Sequence, residues 1–160
     1  MAGYKLTTDV IGADELKAAF LKAPEVVARN LKDAVGKTAF SVEGKAKSYA
    51  PIQYGNLRGS IHTEGPTVLS TNVEAAVGTN VKYALWQEKG TGIYAGKGPI
   101  TPKSKKFLAW KQNGKWIFAR QVKGVRPKLF FKKARTEALP LLEANLKAAM
   151  ANITTFLAKG

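Results

Sequence analysis

The sequence predicts an α+β fold: an antiparallel sheet with a β-hairpin, packed against long N-terminal and C-terminal helices. Three observations predict it. Stretches near both ends repeat apolar residues at steps of three and four, the helical period. The segments between them alternate in the two-residue rhythm of half-buried strands. An Asn-Gly pair sits at the centre of one alternating segment, the preferred chemistry of a two-residue hairpin turn. A chain of 160 residues is long enough to bury a core and is read as one domain, 1–160.

Taken in order, residues 1–12 carry no clear period and read as an N-terminal arm or edge strand. Asp14 can cap a short helix holding Leu16 and Phe20. Pro24 suits a first helical turn, with Glu25 beside it favouring a helix start. Val27, Leu31, Ala34, Val35, Thr38, Val42, Ala46 and Tyr49 then trace one helix to about Ser48. It stops before Pro51, because the residue ahead of a proline is pushed out of helical space. Leu57–Thr63 reads as a strand, with Leu57 and Ile61 inward and Arg58 and Ser60 on the other face. Val68–Leu69 and Val73–Val77 flank a tight turn at Ser70-Thr71-Asn72, and Val73, Ala75 and Val77 share a face. Val81–Glu88 reads as a short helix ended by Gly90-Thr91-Gly92. Residues 92–105 are a long basic loop rich in Gly, Pro and Lys. In the hairpin FLAWKQNGKWIFARQV, a type I′ turn at Asn113-Gly114 pairs Trp110 with Ile117 and Leu108 with Ala119. Phe107, Ala109, Trp116 and Phe118 face the other way. Both faces are partly apolar: either one covers the core and the other is a subunit interface, or two helices sandwich the hairpin. A last helix from about Leu129 to Leu157 carries the stripe Phe130, Ala134, Ala138, Leu142, Leu146, Ala149, Ile153 and Leu157, which Pro140 should kink or split.

Charge is distributed unevenly. The net charge is +15, yet residues 1–88 hold ten basic and nine acidic side chains, and residues 136–160 balance to zero. Residues 89–135 hold fourteen Lys or Arg and no acid. Such a block is an electrostatic footprint for an acidic partner or for nucleic acid. The chain has no cysteine, which removes disulfides, thiol chemistry and thiolate metal sites. Its N-terminus lacks a signal-peptide layout, and no apolar run reaches the ~18 residues of a membrane span. A soluble protein made in the cytoplasm is expected.

Catalytic constellations are hard to find. His62 is the only histidine and reads as an exposed or edge-strand residue. Asp9, Asp14 and Asp33 all lie near the N-terminus, while Glu64, Glu74 and Glu88 are scattered. No carboxylate pair suggests acid/base work. Neither Gly90-Thr91-Gly92 nor Gly96-Lys97-Gly98 continues into the Lys-Ser/Thr of a phosphate-binding loop. No enzyme, no cofactor and no metal site is expected.

The segment PIQYGNLRGSI carries a different signal. Pro51, Gly55, Leu57, Arg58, Ser60 and Ile61 resemble the "aPv-x-T-G-x-L-R-x-S-I" signature of a phage family. These are the neck or tail-completion proteins of long-tailed double-stranded-DNA phages, also described as minor tail or head–tail joining proteins. VGTNVKYALWQEKGTG resembles a second family block through Gly78, Thr79, Tyr83, Ala84, Glu88, Gly90 and Thr91. Arg126, Pro127, Phe130, Phe131 and Ala134 resemble the closing block before the last helix. Tyr54 and Lys89 depart from the usual threonine and aromatic at their positions.

The resemblance implies a virion structural protein of the neck or tail that forms a homo-oligomeric ring, six-fold by tail geometry, and joins or completes the head–tail junction. Its implied partners are copies of itself, the head-closure or connector proteins, and tail-terminator or tail-tube proteins, with no membrane partner. Arg58 and Glu88 are candidates for an ion pair within or between subunits. Lys97, Lys103, Lys105, Lys106, Lys111 and Lys115 are candidates for contact with genomic DNA or an acidic partner, touching phosphates without reading sequence. The alternative is a non-specific nucleic-acid-binding protein that uses the basic aromatic hairpin as a stacking platform.

Overall fold

The computed structural model describes residues 4–5, 24–52, 55–70 and 72–159. The chain forms two compact units, one of residues 1–81 with 130–160 and one of residues 82–129. The fold is α+β, as predicted. The short helix expected after Asp14 lies outside the described residues.

The first unit is built on two long helices. Helix α1 spans Pro24–Tyr49, within a residue of its predicted end. It buries Val27, Leu31, Ala34, Val42 and Ala46, members of the stripe seen in the sequence. Three strands form an antiparallel sheet with β3 in the centre: β1 Tyr4–Lys5, β2 His62–Val68 and β3 Val73–Gly78. Tyr4 pairs with Val77 and Lys5 with Ala76, so the described part of the N-terminal arm is an edge strand. The turn between β2 and β3 closes through the Leu69 amide, which donates to the Asn72 carbonyl at 2.7 Å. β3 turns Ala75 and Val77 into the core. α1 lies on both β2 and β3. It approaches closely at Gly36, where a β-carbon would meet the Pro66 ring at 3.2 Å.

The last helix, running over Phe130–Lys159, packs along α1. Phe130, Phe131, Ala134, Ala138, Leu142, Ala149 and Ile153 are buried. Val27, Leu31 and Ile153 form one apolar cluster, with Val73, Leu146 and Leu157 packed on it. Pro140 does not split the helix. It lies on the exposed side, where the carbonyl that loses its amide partner can be hydrated. A polar link crosses the helix pair: Asn145 Nδ2 donates to Thr38 Oγ1 at 3.1 Å, and Thr38 Oγ1 donates to the Ala34 carbonyl at 2.9 Å.

One sequence assignment is corrected here. The stretch after Gly55 is not a strand: Asn56–Ser60 forms one helical turn, α2. Gly55 opens it with φ +74, and the Gly59 amide donates to the Gly55 carbonyl at 2.8 Å. Leu57 and Ile61 are both buried, as expected, but by a different geometry. A four-residue spacing returns to one face of a helix as well as of a strand, and the glycine start selects the helix.

A second link between the long helices is charged. Glu137 accepts from Lys45 Nζ at 2.9 Å and from Tyr49 Oη at 2.6 Å, and Lys133 Nζ lies 6.0 Å from the Tyr49 ring centroid. The Tyr49 hydroxyl and the Lys45 ammonium hold the Glu137 carboxyl below its ordinary value. Burial pushes Glu43 up, but hydrogen bonds from Lys47 and Thr63 outweigh it and leave that carboxyl lowered as well. A carboxylate with a depressed folded pKa contributes stability above its unfolded value and loses it as pH falls through the folded one. Thermal stability is therefore expected to decline as pH drops below the ordinary glutamate value of 4.5. Glu137→Gln should shrink that decline in a melting series from about pH 6 to about pH 3. An unchanged acid slope in the variant would contradict the assignment.

The second unit begins with helix α3, Ala84–Lys89, which makes the helix of Phe130–Lys159 α4 in chain order. A 3₁₀ turn follows at Gly92–Ala95. The hairpin strands are β4 Leu108–Gln112 and β5 Lys115–Ala119, in the predicted register: Trp110 opposite Ile117 and Leu108 opposite Ala119. Asn113 and Gly114 have φ +50 and +80, as a type I′ turn requires. The loop expected over 92–105 is tied down at two points: the 3₁₀ turn, and a bridge in which Ile100 and Val122 exchange backbone hydrogen bonds of 2.8 and 3.0 Å.

Candidate functional site

The motif residues and the lysines fall into two classes. Several motif residues make hydrogen bonds within the fold; the lysines are exposed to solvent.

Arg58 serves the helix end that precedes its motif. Its Nε donates to the Lys47 carbonyl at 2.7 Å and its Nη2 to the Ser48 carbonyl at 3.4 Å. The last carbonyls of a helix have no amide partner within it and sit at the negative end of its dipole, so a guanidinium there satisfies both needs. Ser60 joins the first motif to the second: its hydroxyl meets that of Thr79, which also accepts from the Val81 amide at 3.2 Å. Pro51 is half-buried just past α1. His62 is exposed at the start of β2, its Nδ1 2.9 Å from the Ser60 carbonyl and its Nε2 3.3 Å from Glu64. Those two acceptors favour the protonated ring and raise its pKa. This is local support for an edge strand, consistent with the expectation from sequence.

The second and third motifs meet in a backbone clasp. The Thr91 amide donates to the Val125 carbonyl at 2.9 Å, the Val125 amide to Thr91 Oγ1 at 2.8 Å, and the Ile93 amide to the Lys123 carbonyl at 3.0 Å. Glycine makes this approach possible. A β-carbon on Gly90 would meet the Val125 carbonyl oxygen at 2.8 Å and Pro127 Cδ at 2.9 Å; one on Gly92 would strike the Lys123 carbonyl, and one on Gly124 the Thr91 carbonyl. The clasp continues where Lys128 donates to the Gln87 carbonyl at 2.7 Å and Leu129 to that of Glu88 at 3.3 Å. Glu88 itself is 3% exposed. Tyr83 opens α3, its carbonyl accepting from the Trp86 and Gln87 amides, both at 3.1 Å. Phe130 begins α4 with no exposed surface. Arg126 sits over the Tyr94 ring, 5.4 Å from its centroid, and holds the phenol below its ordinary pKa. Gly92 and Gly124 have no visible partner in the sequence, because the clasp joins residues about thirty positions apart.

Lys97, Lys103, Lys105, Lys106, Lys111 and Lys115 are all exposed. Four of them, Lys97, Lys103, Lys105 and Lys106, are the cations of the loop between the 3₁₀ turn and the hairpin, and Lys111 and Lys115 belong to the hairpin strands. Trp116 and Phe118 stand 65% exposed, alternate residues of β5 on one face, with ring centroids 6.4 Å apart and planes inclined by 26°. Lys111 lies directly opposite Trp116 on β4. On the other face Leu108, Ile117 and Ala119 are half-buried. α3 shows a second apolar outcrop, with Leu85 44% and Trp86 58% exposed.

Comparison with known proteins places the first two motifs. Residues 14–90 match the family model described as "Bacteriophage HK97-gp10, putative tail-component". Over that span the chain is similar to the HK97-gp10-like family, and the resemblance drawn from the motifs is borne out there. The third motif and the hairpin lie beyond residue 90. No curated protein and no solved structure gives a significant match. Among the described residues no group of His, Cys, Asp or Glu could hold a metal ion, and no helix is long and apolar enough to cross a membrane.

Proposed function

We propose that this chain is a structural protein of the phage neck or tail, and that it forms a homo-oligomeric ring, six-fold with the tail, that joins or completes the head–tail junction. The match of residues 14–90 to a tail-component family carries the reading. The surface supports it. Leu85 and Trp86 of α3 form an apolar outcrop, and Phe40 of α1, 61% exposed, forms another on a different unit. Two unlike patches suit a head-to-tail interface, which closes into a ring when the rotation per subunit allows. The remaining partners are the head-closure or connector proteins on one side and tail-terminator or tail-tube proteins on the other. The motif residues, Arg58, Ser60, Thr91 and Gly90 among them, act by holding the fold that presents these patches.

The test uses tails produced without this chain. Wild-type protein should co-sediment with them, whereas Trp86→Glu, which alters only exposed surface, should fold normally and remain in the supernatant. Full recovery of the variant with the tails would remove α3 from the interface.

A further inference from the structure

We infer that the outer face of the β4–β5 hairpin is a binding platform for single-stranded nucleic acid, with Trp116 and Phe118 stacking bases and the surrounding lysines holding phosphates. This surface lies beyond the matched residues 14–90, and the inference does not depend on the virion reading.

Three independent features converge on it. First, the rings are presented and not packed. Both are 65% exposed, and strand periodicity puts side chains i and i+2 on one face about 6.6 Å apart. With centroids at 6.4 Å and planes inclined by 26°, the two rings are stacked near-parallel, and the outward π-face of each is offered to a base. Sheet-borne aromatics recognise unpaired bases in this way, and the contact tolerates any sequence because every base has such a face. A closed duplex has its base faces already stacked and cannot use it.

Second, the charge fits a polyanion. Lys111 is the cross-strand neighbour of Trp116 and shares its face, whereas Lys115, next to Trp116 in sequence, belongs to the opposite face at the turn end of the hairpin. Lys97, Lys103, Lys105 and Lys106 lie on the segment leading into β4, all exposed. No acid occurs from residue 89 to residue 135, so nothing within this stretch neutralises the six ammonium groups. Third, the face opposite carries the half-buried Leu108, Ile117 and Ala119. That face, which also carries Trp110 at 37% exposure, is the less exposed of the two, and the two large aromatics of β5 stand on the more exposed one.

An acidic protein surface could satisfy the lysines, but it would have no particular use for two exposed, near-parallel rings. The experiment separates these cases. Fluorescence anisotropy of a labelled oligo-dT of about thirty nucleotides is titrated with the full chain at about 50 and about 200 mM salt, against a duplex of equal length and against poly-glutamate as competitor. Binding of oligo-dT is expected to be tighter than that of duplex, with quenching of tryptophan emission. Trp116→Leu with Phe118→Leu keeps apolar residues in the strand and removes the rings; at ~1–3 kcal/mol per stacked base it should weaken oligo-dT binding by about 30-fold or more. Lys111→Gln should lower the salt slope by about 0.7 if its one lysine–phosphate pairing is removed. Equal affinity for duplex and single strand, or a double-leucine variant that binds like wild type, would overturn the platform. Displacement by poly-glutamate at equal charge concentration would do so too, and would assign the face to an acidic protein.

Discussion

Changing Gly124 to alanine is expected to abolish the cooperative folding of residues 82–129. Gly124 has φ +96, a conformation that costs a residue with a β-carbon about 1–3 kcal/mol. The added methyl would also run into the Thr91 carbonyl. Neither side of the clasp can retreat, because Ile93 is bonded to the Lys123 carbonyl and Thr91 to that of Val125. Strain and overlap together should exceed about 4 kcal/mol, in the exceptional tail of single substitutions. The readout is built into the chain. All three tryptophans, Trp86, Trp110 and Trp116, lie in this unit, whereas the two long helices lie in the other. Tryptophan emission of the variant should therefore resemble that of the unfolded chain while far-UV circular dichroism keeps a strong helical signal. Gly96→Ala is the control. Its φ is +71 but a β-carbon there meets nothing, so only the backbone cost, about 1 kcal/mol, is expected. Comparable losses in both variants would mean that close approach at the clasp contributes nothing.

Phe130→Ala should be the most damaging truncation in the other unit. Its side chain is fully buried, with its ring 4.7 Å from that of Phe131. Emptying such a site costs the transfer free energy of the ring plus a cavity, about 3–5 kcal/mol. Phe156, half exposed on the same helix, should cost less than about 1 kcal/mol when truncated. Urea unfolding followed by helical ellipticity measures both. The expected result is a large fall in midpoint for Phe130→Ala at unchanged slope; a fall no greater than that of Phe156→Ala would contradict the packing described.

These residues mark what can be read from sequence. The long helices are legible because their buried residues repeat at steps of three and four, and the hairpin register because Asn113-Gly114 fixes it locally. A strand over Leu57–Ile61 is the wrong reading because a four-residue spacing does not distinguish strand from helix, and Gly55 decides it through one dihedral angle. Arg58 is recognisable as a motif residue, but its role is not. The acceptors it meets at the end of α1 are backbone carbonyls, which leave no mark in the sequence. The clasp is invisible for the same reason: Gly92 and Gly124 matter through a backbone segment about thirty residues away. The lysines are legible as a block, and their exposure follows, since ammonium groups without acidic partners are costly to bury.

The central claim, a structural role at the head–tail junction, is tested most directly by negative-stain imaging of assembly products made with and without this chain at about 150 mM salt, an ionic strength at which long-range charge attraction is largely screened. Its absence is predicted to leave heads and tails unjoined, or tails with abnormal ends, and adding back the wild-type protein should restore joining. Normal joined particles in its absence would contradict the role.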